Sequence, residues 1–366
     1  MKAGFFSPLP PAQSGVADYS AALLEALRQT GEVSVNDACA DVSLYHLGNN
    51  QLHRPIYQTA LQRPGVIVIH DAVLNHFFLG CLDQQQYIAE FGYNYGRWSE
   101  GLAERLWQNR ARSGADPMYF RYPMLKRIVE RSKSVIVHNA AAARIVREHV
   151  PGARIFEIPH LYAPGPSPTV TDVERLRAAL SVPRSSFLFG VFGHLRESKR
   201  LSVVVRAFRR LYDSGERVAL LVAGRFASTD LERSMTDVLS GAGIVRVGYT
   251  PEKAFNTYAC AVDACINLRY PTAGETSGIA IRLMGAGKPV MFTSGEETSA
   301  IPESAALRID PGASEAEMLA GNMLWMARFP RDAEAMGEFA RRHIQERHAL
   351  PRVAEMYWRA MAESRA

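Results

Sequence analysis

Short, wholly apolar runs alternate along the chain with longer segments in which apolar positions recur every three or four residues. The first run, residues 3–6, passes through a loop rich in Pro, Ser and Gly at 7–15 into a segment with Val16, Tyr19, Leu23, Leu24 and Leu27 on one face. That order predicts strand, loop and helix. The same alternation predicts strands at 42–47, 66–70 and 134–138, with helical patterns between them and one long helical stretch over 84–112. Short, mostly apolar strands that read as buried, separated by helices, imply a parallel doubly wound sheet covered on both faces.

After residues 155–159 comes Ala163-Pro-Gly-Pro-Ser-Pro168, a stiff segment that neither helix nor sheet tolerates. A second alternation follows, with predicted strands at 187–193, 218–223, 244–247, 264–268 and 289–292. The expected organisation is therefore an N-terminal domain over 1–163, a linker and leading helix over 164–185, and a C-terminal domain over 186–346. The fold class is α/β, two doubly wound Rossmann-like domains expected to face each other across a cleft. Open α/β sheets bind ligands outside the carboxyl ends of their strands, so the ligand site is expected there.

Length supports this division: 366 residues with 47% hydrophobic side chains exceed what one core holds. No apolar run approaches the roughly 20 residues of a membrane span, and the apolar start is too short for a signal peptide. A cytoplasmic protein is expected. Cys39, Cys81, Cys260 and Cys265 show no paired spacing and read as reduced core residues. The net charge of +5 is unevenly spread: residues 97–147 hold 11 Lys and Arg against 4 Asp and Glu, or +7 in one stretch. Such a stretch is either a solvated helical face or a contact with anionic lipid head groups or an acidic substrate. Regular aromatic stacking platforms are absent from it, so nucleic acid is not an expected partner.

Three segments carry candidate chemistry. In the loop ending Ser14-Gly15, glycine lets a ligand approach the N–H groups of a helix start, although Ser14 as a cap and Asp18 as a dipole complement explain it equally. In Gly193-His-Leu-Arg-Glu-Ser-Lys-Arg200 a strand ends and a helix begins with two cations, which oppose the helix dipole and suit a diphosphate. In the third, Glu275 precedes the hydroxyl-rich helix start Thr276-Ser277-Gly278, so a carboxylate for sugar hydroxyls adjoins amides for phosphate oxygens. His70 and Asp71 end the central strand of the first half, where a histidine is either a satisfied core group or a functional one. Asp71 could fix the ring tautomer or meet an acceptor.

With Ser14 to Ser20, Val68-Ile-His-Asp71, the 193–200 segment and the 274–289 segment in this order, nearly the whole chain resembles the retaining GT-B glycosyltransferases of family four. The resemblance implies that Gly15 and Lys199 hold the donor diphosphate, that His70 lies by the donor sugar and helps catalysis, and that Glu275 binds sugar hydroxyls. It implies that the amides of Thr276, Ser277 and Gly278 receive the diphosphate. It also implies that a last helix over 350–366, apolar at Leu350, Val353, Ala354, Tyr357, Trp358 and Met361, returns to the N-terminal domain.

Two positions depart from the family pattern. His194 stands where the family has arginine, with Arg196 and Arg200 as substitutes, and Arg282 stands where the family has its ribose-binding glutamate. Arg282 is expected to face the cleft, to pair with Glu275 or to bind donor oxygens. The predicted reaction is retaining transfer of a hexose-type sugar from a nucleotide diphosphate sugar to a glycan or lipid-linked glycan of a surface polysaccharide. No Asp-x-Asp and no metal-spaced cluster occur, so no cofactor or metal is expected and protein groups must meet the phosphate charge. A nucleotide-sugar epimerase and a non-catalytic sugar-nucleotide-binding subunit are the alternatives.

Overall fold

The computed structural model describes residues 1–365, apart from the side chains of Glu252 and Lys253. It divides into two compact units. The first comprises Met1–Leu161, Pro271–Gly278 and the chain from His348; the second comprises Tyr162–Tyr270 and Ile279–Arg347.

The first unit holds a six-stranded sheet in the order β2-β1-β3-β4-β5-β6, with every pair parallel. Its strands are β1 (Lys2–Phe6), β2 (Glu32–Val35), β3 (Val42–Leu47), β4 (Val66–Ile69), β5 (Ser134–Val137) and β6 (Ile155–Glu157). All four residues of β4 and of β5 are buried, as two-sided covering requires. The Gly15–Thr30 helix buries Tyr19, Leu23, Leu24 and Leu27. The last helix, Leu350–Arg365, belongs to the same unit and buries Val353, Tyr357 and Met361. Tyr357 meets Tyr19 hydroxyl to hydroxyl at 2.7 Å, and Trp358 donates to Thr30 at 3.0 Å. Burying side chains of this size stabilises by about 1.5–3 kcal/mol each, enough to hold the terminal helix down.

The second unit holds a six-stranded parallel sheet ordered β12-β11-β10-β7-β8-β9. Its strands are β7 (Phe187–Phe192), β8 (Val218–Ala223), β9 (Ile244–Val247), β10 (Ala264–Asn267), β11 (Val290–Thr293) and β12 (Ala306–Ile309). Alternate residues feed two cores, Ala264 and Ile266 on one face and Cys265 on the other. In each unit the strand order reverses beside the first strand, between β1 and β3 and between β7 and β10. Those switch points are where such sheets open a crevice.

Several local readings change. The long helical stretch breaks into Gln84–Tyr95 and Glu100–Gln108, because Gly96 adopts φ 91° and ends the first helix. The edge strands β2 and β12 mix exposed or half-buried positions with buried ones, so they lack the apolar signature of the central strands. Cys39 is exposed rather than part of a core, whereas Cys81 and Cys265 are buried. Among the described residues no helix is long and apolar enough to cross a membrane. In the basic stretch Arg127 pairs with Glu90 and Arg144 with Glu148, while Trp98 is 82% exposed.

Candidate functional site

The carboxyl ends of β3, β4 and β5 deliver three histidines to one place in the first unit. His70 follows β4, and its backbone N–H donates to Leu47 O at 2.9 Å. Its ring Nε2 lies 3.0 Å from Nδ1 of His46 on β3, so the neighbouring histidine orients that nitrogen. Asp71 accepts from the backbone N–H of Asn49 at 2.8 Å and shapes the turn after β3. His138, after β5, donates from Nδ1 to Ile158 O at 2.9 Å, and His53 donates to His46 O at 2.9 Å. The Tyr19 ring packs edge-on against His70 and His160, with centroids 4.9 and 4.7 Å away.

Burial disfavours the charged imidazolium, so His46 and His70 are held well below their ordinary values, and neighbouring histidines add to the effect. His53 and His138 are pushed down to about 4 by the same burial. At neutral pH the cluster is uncharged, and His70 can act on a ligand as a neutral hydrogen-bonding group. Because a histidine in the unfolded chain titrates near 6.5, the unfolded state binds more protons below that value. Stability is thus fully present above about pH 6.5 and falls as pH drops towards 4, by up to about 1.4 kcal/mol per pH unit for each such histidine. Unfolding in urea over this range should show that steep loss, and His138→Asn should reduce the slope by one histidine's share. An unreduced slope would remove His138 from the account.

The 271–278 loop, which leaves β10, is bonded into the first unit close to these histidines. Ala72 N–H, two residues after His70, donates to Ala273 O at 2.7 Å. Gly274 follows with φ 69°, and a side chain there would meet Ala72 Cβ at 3.0 Å and Ile145 Cδ1 at 3.1 Å. Only glycine suits both the backbone and the space. Glu275 turns one carboxylate oxygen onto the loop itself, accepting from Ala273 N–H at 2.8 Å and from the Thr272 hydroxyl at 3.2 Å. Ser277 is buried, and His160 lies against Gly278, its ring 3.1 Å from where a Cβ would stand. Gly15 and Asp18 are exposed at the start of their helix, which Ser14 caps by accepting from Ala17 N–H at 3.1 Å. A Cβ on Gly15 would meet nothing within 4 Å, so no protein neighbour demands glycine there.

In the second unit Lys199 ends a short 3-10 turn after β7 and is 7% exposed. Its ammonium donates to Phe192 O at 2.5 Å, which holds it at the carboxyl end of β7 beside Gly193. His194 is pulled below its ordinary value by partial burial and by the charges of Arg196 and Lys199, a sign of a positive surrounding field. Arg200 is placed differently from the sequence expectation. It occupies the left-handed region at φ 55° and turns Nε and Nη2 onto the buried carboxylate of Glu315 at 3.0 and 2.5 Å. Both donors converge on one oxygen, Oε2 of Glu315, and are removed from any phosphate.

Arg282 keeps its place on the helix after Glu275, but the helix start differs. The helix is Gly278–Gly285, not a helix opened by Glu275, so Arg282 falls in its last turn. Its guanidinium lies 3.8 Å over the Phe255 ring. Pattern reading missed four polar residues. Asn139 binds the 271–278 loop, Glu315 binds Arg200, His46 binds His70, and Asn267 at the end of β10 is 1% exposed with no side-chain partner among the described residues. Position at the carboxyl end of a predicted strand was the available signal for His46 and Asn267, and for Asn139, two residues past β5.

No family model and no curated protein sequence matches the chain. Solved structures do. Sucrose-phosphate synthase from Thermosynechococcus elongatus superposes with TM-score 0.69 at 17% identity, over 99% of this chain and 98% of that one. Anabaena HepE in complex with UDP-glucose gives 0.65 at 14% identity, over 99% of this chain and 100% of that one. WaaG, a glycosyltransferase involved in lipopolysaccharide biosynthesis, gives 0.63 at 13% identity over 99% of both. The chain has the GT-B fold. Within that fold the first unit carries His70 at the end of β4 and Glu275 in the 271–278 loop, and the second unit carries Lys199 after β7.

Proposed function

We propose that this GT-B chain is a glycosyltransferase that takes a hexose-type sugar from a nucleoside diphosphate donor, with retention and without a metal. The observation that carries the reading is the anchoring of the Glu275 loop two residues beyond His70, which brings a sugar-type carboxylate and a neutral imidazole into one unit. Lys199 and the backbone amides of Thr276 to Gly278 meet the charge of the departing diphosphate, as preorganised donors aimed at developing negative charge. His70 and Glu275 hold the sugar as it becomes oxocarbenium-like. Arg200 serves Glu315 and is therefore left out of the donor set proposed here, while Arg282, with its guanidinium over the Phe255 ring, is kept as a further donor-side cation. The HepE complexes with UDP and UDP-glucose support a uridine donor, and WaaG's part in lipopolysaccharide biosynthesis supports a surface glycan or its lipid-linked form as acceptor. Exposed Arg97 and Trp98 suit a peripheral contact of the 97–147 stretch with an anionic membrane face.

The test is incubation of the protein with UDP-glucose, UDP-N-acetylglucosamine and GDP-mannose, with products and binding followed together in EDTA. Slow release of free sugar supports the transferase. A sugar of changed configuration supports an epimerase, binding without turnover supports a non-catalytic subunit, and binding of no donor overturns the reading.

A further inference from the structure

We propose that Asn139 is a positioning residue for the donor site, a clamp that holds the Glu275 loop in register with His70; this rests on the glycosyltransferase reading above. Asn139 lies two residues past β5, is 9% exposed, and spends its amide in three directions. Its Nδ2 donates to Gly274 O at 3.0 Å and to the Thr276 hydroxyl at 2.9 Å, while its Oδ1 accepts from Ala142 N–H at 2.8 Å. The orientation of the amide follows from these partners. Turned over, it would set oxygen against the Gly274 carbonyl and N–H against the Ala142 N–H.

Two of the three bonds fall on residues immediately flanking Glu275. A further backbone bond ties the loop to the strand ends, from Ala72 N–H to Ala273 O at 2.7 Å, on the segment that carries His70. Asn139 and Ala72 together fasten residues 273, 274 and 276, and the loop's internal bonds then aim the Glu275 carboxylate. Without Asn139 the loop loses its bonds at Gly274 and Thr276, and the amides at 276–278 are held less firmly relative to His70. Displacing reacting groups by about 1 Å can lower turnover by about 100-fold.

The competing explanation is helix capping alone, because Asn139 is also the N-cap of the Ala140–His149 helix. Asn139→Asp separates the two roles. Aspartate accepts from Ala142 N–H as well as asparagine does, but it has no N–H for Gly274 or Thr276. Thr276→Val removes one clamp bond from the other side, adds no charge and leaves the helix cap intact, and Thr276→Ser restores the hydroxyl. With the donor that the wild-type protein turns over, Asn139→Asp should lower kcat about 10-fold or more, with donor KM within about threefold. Tm should fall as well, because the new carboxylate keeps the Ala142 N–H bond but sets an oxygen against Gly274 O, so the uncharged Thr276 pair carries the comparison at constant stability. Thr276→Val should lower kcat less, and Thr276→Ser should recover it. Amide hydrogen exchange of the 271–278 segment, measured without donor, should accelerate in Asn139→Asp. Wild-type turnover in Asn139→Asp, or unchanged exchange in 271–278, overturns the clamp. If the wild-type protein turns over no donor, the glycosyltransferase reading falls and the exchange measurement alone judges the clamp. If Asn139→Asp fails to fold, Thr276→Val against Thr276→Ser decides it.

Discussion

Arg200→Ala is expected to cost about 3 kcal/mol of stability, because it strands a carboxylate that folding has taken out of water. Glu315 is 1% exposed, and Arg200 reaches it with Nε at 3.0 Å and Nη2 at 2.5 Å. Removing one partner of a buried ion pair costs about 3–5 kcal/mol, since the remaining charge keeps its desolvation penalty without compensation. The Arg200 side chain is 32% exposed, so water can approach the vacated place and the lower end of that range applies. Urea unfolding should show a lower midpoint at unchanged slope. The double variant Arg200→Ala with Glu315→Ala should be more stable than the two single losses added together, because no buried charge is left. A loss below about 1 kcal/mol in Arg200→Ala would mean that Glu315 is hydrated in its absence, and would return the guanidinium to other work. The variant also bears on donor binding. Arg200 is the N-cap residue that follows Lys199 directly, so its ion pair fixes the turn from which Lys199 points.

Lys199→Ala is expected to weaken binding of a nucleoside diphosphate by about 10- to 150-fold, the equivalent of about 1.5–3 kcal/mol for a hydrogen bond to a charged group. The ammonium is buried, tethered to Phe192 O, and stands at the end of β7 beside the switch point of the second sheet. Anchored in this way it loses little side-chain freedom when a diphosphate arrives, which favours a large effect. Arginine is not an adequate replacement, because a planar fork cannot reproduce a compact ammonium bonded to one carbonyl. Titration calorimetry with UDP and with GDP measures the loss directly. A folded Lys199→Ala variant that binds both as tightly as the wild-type protein removes Lys199 from the site and leaves the proposed diphosphate contact to backbone amides alone.

The residue pattern by itself determined the two α/β halves, the central strands and the amphipathic helices, because these depend on local periodicity. A strand buried on both faces is apolar at nearly every position, as β4 and β8 are throughout, and a helix packed on one face must repeat every three to four residues, as Tyr19, Leu23 and Leu27 do. The edge strands β2 and β12 escaped notice because an edge position does not require full burial. Strand-end positions of His70 and Lys199 were legible for the same local reason. Which groups they meet was decided only by tertiary structure. Arg200 finds Glu315 across 115 positions, His70 meets His46 across 24, and Asn139 reaches Gly274 across 135. A parallel sheet brings the carboxyl ends of successive strands side by side, however far apart they are in sequence. Polar partners are therefore chosen by strand order, and neither spacing nor composition along the chain carries that information.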